Sequence, residues 1–321
     1  MEQYRDDVEA ANALASIYGQ LRQEIAKVIV GQEDTVHQLL TAIFCQGHCL
    51  LVGVPGLAKT LLVQTIANAL DLKSNRIQFT PDLMPSDILG AETLDQERNF
   101  KFTPGAIFAN IILADEINRT PPKTQSALLE AMQEHAVTIS GKRYKLDLPF
   151  FVLATQNPIE QEGTYPLPEA QLDRFMFNVF LDYPSLEAEK LIVKNTTADL
   201  KPTVNKLLNS TEILAFQQLV RRVPITDNVI DYAVRLTHKT RPQTSNAAKE
   251  ANDYLEWGAG PRASQYLVLG AKCNALLRGK YSPDIEDIKA VALPILRHRI
   301  VRNFKAEAEG ISVDAIIQKM L

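Results

Sequence analysis

The chain has 321 residues, of which 46% are apolar and 22% charged, as in ordinary soluble globular proteins, and its length suits about two domains. The net charge of −4 provides no electrostatic basis for general nucleic-acid binding, although a local basic patch is compatible with it. The N-terminus is charged and acidic, unlike a signal peptide, and no apolar run approaches the ~20 residues of a membrane helix. We therefore expect a cytoplasmic protein without membrane insertion.

The apolar periodicity predicts an amphipathic helix from Val8 to Val30, ended by Gly31, and a second helix from Glu33 to Phe44. Short apolar or β-branched runs then alternate with helical patterns, which is typical of an α/β fold with a parallel sheet between helices. The predicted strands are Leu50–Val52, Arg76–Thr80, Ile111–Ala114, Phe150–Ala154 and Phe177–Leu181, and the clearest helices between them are Leu61–Leu70 and Lys123–Glu134.

Two hairpins interrupt this pattern. The first is predicted from Ile88 to Pro104 with a polar turn at residues 95–99, and the second from Val137 to Leu146. The tip and return arm of the second hairpin are basic, with Lys142, Arg143 and Lys145.

The pattern changes after Pro184, because the chain from Ser185 onward contains almost no strand signal. The predicted helices there are Glu187–Asn195, Glu212–Val220, Asn228–Lys239, Ala263–Gly279 and Asp284–Arg297. We therefore predict an α/β core over residues 1–184 and a helical domain over residues 185–321.

The three cysteines form an odd set, which argues against a disulfide framework. We expect Cys45, Cys49 and Cys273 to be buried thiols in a reducing compartment. The chain has no Cys and His cluster at ligand spacing that would predict a zinc site.

The run Gly53-Val54-Pro55-Gly56-Leu57-Ala58-Lys59-Thr60 lies between a predicted strand and a predicted helix, as a phosphate-binding P-loop requires. Backbone N–H groups of such a loop and the positive end of the following helix face one point, which suits a polyphosphate such as that of ATP. Lys59 would reach the β- and γ-phosphates, and the Thr60 hydroxyl would bind Mg²⁺. The alternative is an ordinary strand-to-helix turn with a chance lysine.

One residue departs from the general P-loop pattern, because Ala58 stands where a glycine is expected. We expect its methyl group to be tolerated only if φ stays negative and Cβ points away from the phosphate.

Polar residues follow two of the predicted strands. Asp115 would hold Mg²⁺ and Glu116 would act as the general base on the attacking water, unless the two form an ordinary solvated pair at a strand end. Asn157 would hold that water or touch the γ-phosphate, but Asn157-Pro158 alone is also a turn signal.

Two arginines have positions suited to a phosphate. Arg174 comes just before a predicted strand, and Arg262 lies in the first turn of a predicted helix. An arginine beside a γ-phosphate stabilises transition-state charge. The alternatives are a surface salt bridge for Arg174 and a solvated helix start for Arg262.

Taken in order, these motifs resemble those of an AAA+ ATPase, and three sequence segments resemble the MoxR family of such ATPases. The segments are Gly53 to Thr60 with its alanine, Leu113 to Glu134, and Ala154 to Pro158 followed by Gly163 to Phe175. The resemblance covers the chain from about Ile29 to the C-terminus and implies an AAA+ core followed by a helical lid.

The resemblance also implies roles. Walker A is Gly53 to Thr60, with Leu61 directly after it in the nucleotide site, and Walker B is Asp115-Glu116; the cofactors are ATP and Mg²⁺. Asn157 matches sensor 1, and Val30-Gly31 matches the segment against the adenine. Arg174 matches the arginine finger that reaches a neighbouring subunit's ATP. Arg262 matches sensor 2, acting either on its own nucleotide or, given an additional helix found in relatives, on the neighbour's.

The family resemblance implies a homo-oligomer, namely a hexameric ring with ATP between subunits. The hairpins match the helix-2 insert and the pre-sensor-1 insert, which would transmit motion to a client. Such ATPases act as chaperones that mature or activate proteins, and their partners often carry von Willebrand factor A domains.

Three alternatives remain open at this point. A nucleic-acid motor would fit the basic second hairpin. The negative net charge argues against it, and so does the scarcity of aromatic residues between the basic ones, apart from Tyr144. A nucleotide-gated scaffold with little hydrolysis is suggested only by Ala58, and the presence of Glu116, Asn157 and Arg174 argues against it. A chelatase-like motor subunit would use the same core.

Overall fold

The computed structural model describes residues 4–94, 100–159, 163–199 and 202–321. They form two compact units that alternate along the chain. We call residues 19–168 and 179–214 the sheet unit, and residues up to Tyr18 together with 169–178 and 215–321 the helical unit. The predicted domain boundary at residue 184 stays a prediction.

The centre of the sheet unit is a five-stranded sheet. Its strands are β1 (Cys49–Gly53), β2 (Ser74–Gln78), β5 (Ile111–Asp115), β8 (Phe151–Gln156) and β9 (Phe177–Leu181), in the order β2-β5-β8-β1-β9. The pairs β2/β5, β5/β8 and β1/β8 are parallel, and the first four residues of β5 are buried, as in strands covered on both faces. The predicted α/β fold with a parallel five-stranded sheet is confirmed.

Two hairpins project from this fold, and both were predicted. The strands are β3 (Gly90–Leu94) and β4 (Phe100–Pro104) in one hairpin, and β6 (Ala136–Ile139) and β7 (Lys142–Lys145) in the other. The predicted turn at residues 95–99 lies outside the described residues, and Ile88 belongs to a short helix rather than to a strand. The Phe102 ring of one hairpin stacks on the Tyr144 ring of the other, with centroids 3.9 Å apart.

The helices up to the end of the sheet strands are α1 (Asp7–Ala26), α2 (Glu33–Phe44), α3 (Lys59–Ala69), α4 (Pro85–Leu89), α5 (Pro122–Glu134) and α6 (Glu169–Leu172). The predicted extension of the first helix to Val30 is wrong. The amides of Lys27 and Val28 bond the carbonyls three residues back, which closes the helix, and Gly31 with φ +72° lies in the turn that follows.

The helices that follow the sheet are α7 (Leu186–Thr197), α8 (Ser210–Arg222), α9 (Asp227–Lys239), α10 (Lys249–Tyr254), α11 (Pro261–Leu277), α12 (Ile285–Leu296), α13 (Phe304–Ala308) and α14 (Val313–Met320). The helical pattern after residue 185 is thus confirmed. Two short paired strands, β10 (Leu255–Trp257) and β11 (Val301–Arg302), were not predicted, because three and two residues are too few to show alternation.

All three cysteines are buried, as predicted. Among the residues that the structure describes, no helix combines the length and the apolar character needed to cross a membrane.

Candidate active site

The predicted P-loop connects the end of β1 to the start of α3 and is open to solvent at Pro55, Gly56 and Ala58. Gly53 lies close to Leu181, where a side chain would not fit. A Cβ at residue 53 would lie 2.9 Å from both the Cβ and the carbonyl oxygen of Leu181. Gly56 has φ +85°, a conformation that favours glycine. An exposed loop that leads into a helix N-terminus fits the phosphates of a nucleotide.

Ala58 precedes α3 in the left-handed conformation, with φ 56° and ψ 27°. The expectation that its φ stays negative is therefore wrong. The turn from β1 into α3 needs a left-handed residue at this point, which explains why other P-loops have glycine there. An alanine in this conformation costs roughly 1–2 kcal/mol relative to glycine.

Lys59 is the first residue of α3, and its Nζ donates a hydrogen bond to the Gly53 carbonyl oxygen. Burial lowers the pKa of Lys59, while the charges of Asp115 and Glu116 oppose this shift. The structure thus places the predicted phosphate-binding lysine across its own loop and near the two predicted acids. Thr60 is half-buried beside it, and Leu61 is exposed.

The predicted adenine segment lies against this loop. The Gln32 side chain, directly after Val30-Gly31, donates a 3.4 Å hydrogen bond from Nε2 to the Leu57 carbonyl oxygen. Gly31 has no room for a side chain, because a Cβ would lie 2.7 Å from Ala188 Cβ. The sheet unit therefore brings Val30 and Gly31 next to the P-loop.

Asp115 ends β5, and its two carboxylate oxygens have separate partners. Thr155 Oγ1 donates to Asp115 Oδ1 at 2.7 Å, and Arg76 donates to Oδ2 from Nε at 3.0 Å and from NH2 at 2.6 Å. Hard carboxylate and hydroxyl oxygens are the protein ligands that Mg²⁺ prefers, so Asp115 and Thr60 fit this ion chemically.

Glu116 follows in the left-handed conformation, with φ 58° and ψ 49°. Its N–H donates to Thr155 Oγ1 at 2.9 Å, and its Oε2 accepts from Gln78 Nε2 at 2.9 Å and from Arg119 NH1 at 3.1 Å. Left-handed backbone at a non-glycine residue is uncommon and clusters at functional sites. These bonds aim the predicted base and hold its carboxylate.

Asn157 lies just beyond β8 and is buried. Its Oδ1 accepts the N–H of Ile159 at 3.1 Å, as in a turn in which asparagine bonds the backbone two residues on. Asn157-Pro158 therefore does form a turn. Asn157 also lies at the same edge of the sheet as Asp115, because β5 and β8 are neighbouring parallel strands and their carboxyl ends meet there.

The two predicted arginines lie in the helical unit. Arg174 comes two residues after α6, and Arg262 lies in the first turn of α11. Arg262 NH1 donates to Asp173 Oδ2 at 2.9 Å, so it is not simply a solvated helix start. Arg262 thus binds the residue directly before Arg174.

Four residues of this site were missed by the sequence reasoning: Arg76, Gln78, Arg119 and Thr155. The parallel register pairs Gln78 with Asp115 and Ala114 with Ala154, which places Gln78 and Thr155 on either side of the two acids. Polar residues at the carboxyl ends of neighbouring strands were the available signal, but the strand order was needed to use it.

Two family models match this chain. The model of the "ATPase family associated with various cellular activities (AAA)" matches residues 48–177, and the model of the AAA lid domain matches residues 247–320. The chain is 42% identical over 299 residues to Chaperone MoxR1 of Mycobacterium tuberculosis, which covers 93% of this chain and 79% of the relative.

Two further proteins are similar to this chain over nearly its whole length. The protein YeaC of Bacillus subtilis is 40% identical over 311 residues, covering 96% of this chain and 94% of the relative. A crystal structure of a protein from Cytophaga hutchinsonii matches with a TM-score of 0.91 at 44% identity, covering 97% of this chain and 95% of that chain. The chain therefore belongs to the MoxR family of AAA+ ATPases.

Proposed function

We propose that the chain hydrolyses ATP to ADP and phosphate, with Mg²⁺ as cofactor, as one subunit of a hexameric ring. One observation supports this most strongly. The Thr155 hydroxyl accepts the N–H of Glu116 and donates to Asp115, so one buried side chain orients both acids. In the sheet order, one strand alone separates these acids from the strand that carries the P-loop.

In this proposal the loop from Gly53 to Ala58 and Lys59 bind the phosphates. Bound Mg²⁺, held by Thr60 and Asp115, would neutralise charge that develops on the phosphate oxygens. Glu116 accepts a proton from the attacking water at its carboxylate, and Asn157 orients that water. Val30 and Gly31 contact the adenine.

We further propose that residues 1–184 form the nucleotide-binding core and residues 185–321 the lid. Arg174 completes the site of a neighbouring subunit, where it stabilises transition-state charge, and Arg262 serves as the lid arginine. Hydrolysis then requires assembly of the homo-oligomer. A cytoplasmic location stays a prediction from the sequence.

We assign a chaperone role to this ATPase, by similarity to Chaperone MoxR1 at 42% identity. The clients are protein substrates, including proteins with a von Willebrand factor A domain. The stacked Phe102 and Tyr144 rings join the two hairpins, so both are expected to move together when the nucleotide is hydrolysed.

The nucleic-acid alternative is not favoured. Acidic side chains accompany two of the three basic residues of β7, with Lys142 3.8 Å from Glu92 and Arg143 3.5 Å from Glu134. Their charge is therefore partly neutralised by one acid of β3 and one of α5. Salt-dependent binding of single-stranded DNA at physiological ionic strength would revive this alternative.

The reaction is tested by Mg²⁺-dependent phosphate release from ATP with the parent protein, Glu116→Gln and Arg174→Ala. Each variant should be inactive alone. An equal mixture should regain activity. An Arg174→Ala subunit still has its base, Glu116, and a neighbouring Glu116→Gln subunit supplies the intact Arg174 that completes its site. If the mixture stays inactive while both variants assemble, Arg174 does not act across a subunit boundary.

The chaperone role is tested by capture of cellular proteins on Glu116→Gln, which should hold ATP and retain its client, with Lys59→Ala as the control that cannot bind ATP. By the family resemblance the clients also include metal- or cofactor-dependent enzymes, so enrichment of von Willebrand-type proteins or of such enzymes on Glu116→Gln alone is expected. Enrichment of neither class would contradict the role.

A further inference from the structure

Arg299 follows helix α12 in the helical unit, and only 1% of its side chain is exposed. Its guanidinium contacts both residues that flank Arg174. Nε donates to Asp173 Oδ1 at 2.8 Å, and NH2 donates to the carbonyl oxygens of Asp173 at 2.9 Å and of Phe175 at 2.6 Å. A fourth hydrogen bond runs from NH1 to the Met176 carbonyl oxygen at 3.3 Å.

The two residues before Arg299 contact the same segment. His298 Nε2 lies 3.0 Å from the Phe175 carbonyl oxygen, and Arg297 NH1 donates to the Asn178 carbonyl oxygen at 3.0 Å. The run from Arg297 to Arg299 therefore contacts the backbone from residue 173 to residue 178. In the chain this is the short segment that carries Arg174.

A buried arginine is a costly way to hold two segments together, because its charge must leave water. Burial lowers the pKa of Arg299, and the Asp173 carboxylate opposes that shift. The planar guanidinium offers five N–H donors in a fixed geometry, and here they reach one carboxylate and several carbonyl oxygens at once. A lysine has the same charge but cannot reproduce this arrangement.

Asp173 also binds Arg262 through its other oxygen, at 2.9 Å, so its carboxylate lies between two arginines. The exposure of the two arginines separates their roles. The Arg262 side chain is 42% exposed, whereas that of Arg299 is 1% exposed. Arg262 thus remains accessible to a ligand, and Arg299 acts on the backbone around Arg174.

We propose that Arg299 is a positioning residue for Arg174: it fixes the segment Asp173–Met176 to the end of α12 and thereby sets where the Arg174 guanidinium reaches the neighbouring subunit. This inference rests on the proposed role of Arg174. Arg299 and the segment that carries Arg174 belong to the same compact unit, the helical unit.

The test uses Arg299→Lys in the full-length protein. We expect kcat to fall about 10- to 100-fold, since a displacement of about 1 Å of a catalytic group has effects of that size. The KM for ATP should stay within about twofold, because each subunit's own P-loop is unchanged. Arg302→Lys is the matched control, since Arg302 contacts the Ile311 carbonyl oxygen and Glu307 rather than the Arg174 segment.

Mixing experiments then separate positioning from general damage. Mixed with Glu116→Gln, which contributes an intact Arg174, Arg299→Lys should regain activity, because its own base and P-loop are intact. Mixed with Arg174→Ala, it should stay at its low activity, because neither partner contributes a correctly placed Arg174. The opposite pattern would overturn the inference.

The two proposals fail in different ways. If Glu116→Gln mixed with Arg174→Ala does not regain activity, the action of Arg174 across subunits is wrong and this inference falls with it. If that mixture is active and Arg299→Lys also rescues Arg174→Ala, only the positioning role is wrong. If Arg299→Lys does not fold, Asp173→Asn is the second variant, because it weakens the ion pair with Arg299. It should show the same mixing pattern with a smaller loss of kcat. Rescue of Arg174→Ala by Asp173→Asn would overturn the inference.

Discussion

Gln78 and Glu116 come from the carboxyl ends of two neighbouring parallel strands, and Gln78 Nε2 donates a 2.9 Å hydrogen bond to Glu116 Oε2. Arg119 donates to the same oxygen at 3.1 Å. The proposed general base is therefore held by two side chains from its own subunit. Both bonds end on Oε2, so the carboxylate can accept a proton from water at Oε1 without breaking them.

The first prediction concerns Glu116 itself. Glu116→Gln should lower kcat at least about 100-fold, because an amide cannot act as the general base. Its affinity for ATP should stay within about threefold of the parent value. Phosphate release and nucleotide titration check the two expectations. As a comparison, Arg119→Gln should alter kcat by less than about fivefold, since a partly exposed ion pair contributes at most about 1 kcal/mol; a 100-fold loss there would assign Arg119 a direct role.

The second prediction concerns Thr155, which is fully buried. Thr155→Val keeps the volume but leaves the Glu116 N–H without its acceptor and Asp115 Oδ1 without its hydroxyl donor, so the free energy of unfolding should drop by about 1–3 kcal/mol. We expect kcat to fall as well, because both acids lose their orientation. Thr155→Ser keeps the hydroxyl and is the control. Equal kcat for the valine and serine variants would contradict the role of the hydroxyl.

The third prediction concerns Ala58. Ala58→Gly should bind ATP within about threefold of the parent, since glycine adopts the left-handed conformation without strain. Ala58→Val should bind at least about tenfold more weakly, because a β-branched residue at positive φ is strongly disfavoured. Titration with a fluorescent ATP analogue measures both affinities. An unchanged affinity for Ala58→Val would show that this backbone conformation is not needed in the nucleotide complex.

The fourth prediction concerns pH. Burial lowers the pKa of His48 to about 4, with a smaller contribution from the charge of His135, and the bond to the Met132 carbonyl oxygen opposes the shift. Because the unfolded chain then binds more protons between its ordinary pKa of 6.5 and about 4, stability is full above pH 6.5 and is lost as pH falls toward 4. The loss attributable to His48 is about 3 kcal/mol.

Urea unfolding of the parent and of His48→Gln at several pH values measures this loss. The glutamine variant should start less stable at neutral pH and show a shallower decline below pH 6.5. His298, whose pKa burial also lowers, is present in both proteins and cancels in the comparison. Parallel declines for the two proteins would show that His48 does not titrate as expected.

The sequence was sufficient for the fold and for the position of Asp115 and Glu116 at the end of a buried strand, because the apolar run from Ile111 to Ala114 identifies where β5 ends. It was not sufficient for Thr155 and Gln78, because their roles depend on which strands are neighbours. The conformation of Ala58 was predicted wrongly, since its φ follows from how the turn joins β1 to α3. Arg299 gave no signal, because the Asp173 carboxylate and the backbone carbonyl groups around Arg174 that it binds lie more than a hundred residues away.

The most direct test of the central claim is the rate of ATP hydrolysis per chain as a function of protein concentration, at fixed ATP and Mg²⁺. If Arg174 completes the neighbour's site, activity per chain should fall on dilution in step with loss of the oligomer measured by sedimentation, while Arg174→Ala should be low at every concentration. Activity per chain that stays constant after the protein has dissociated into monomers would contradict the account.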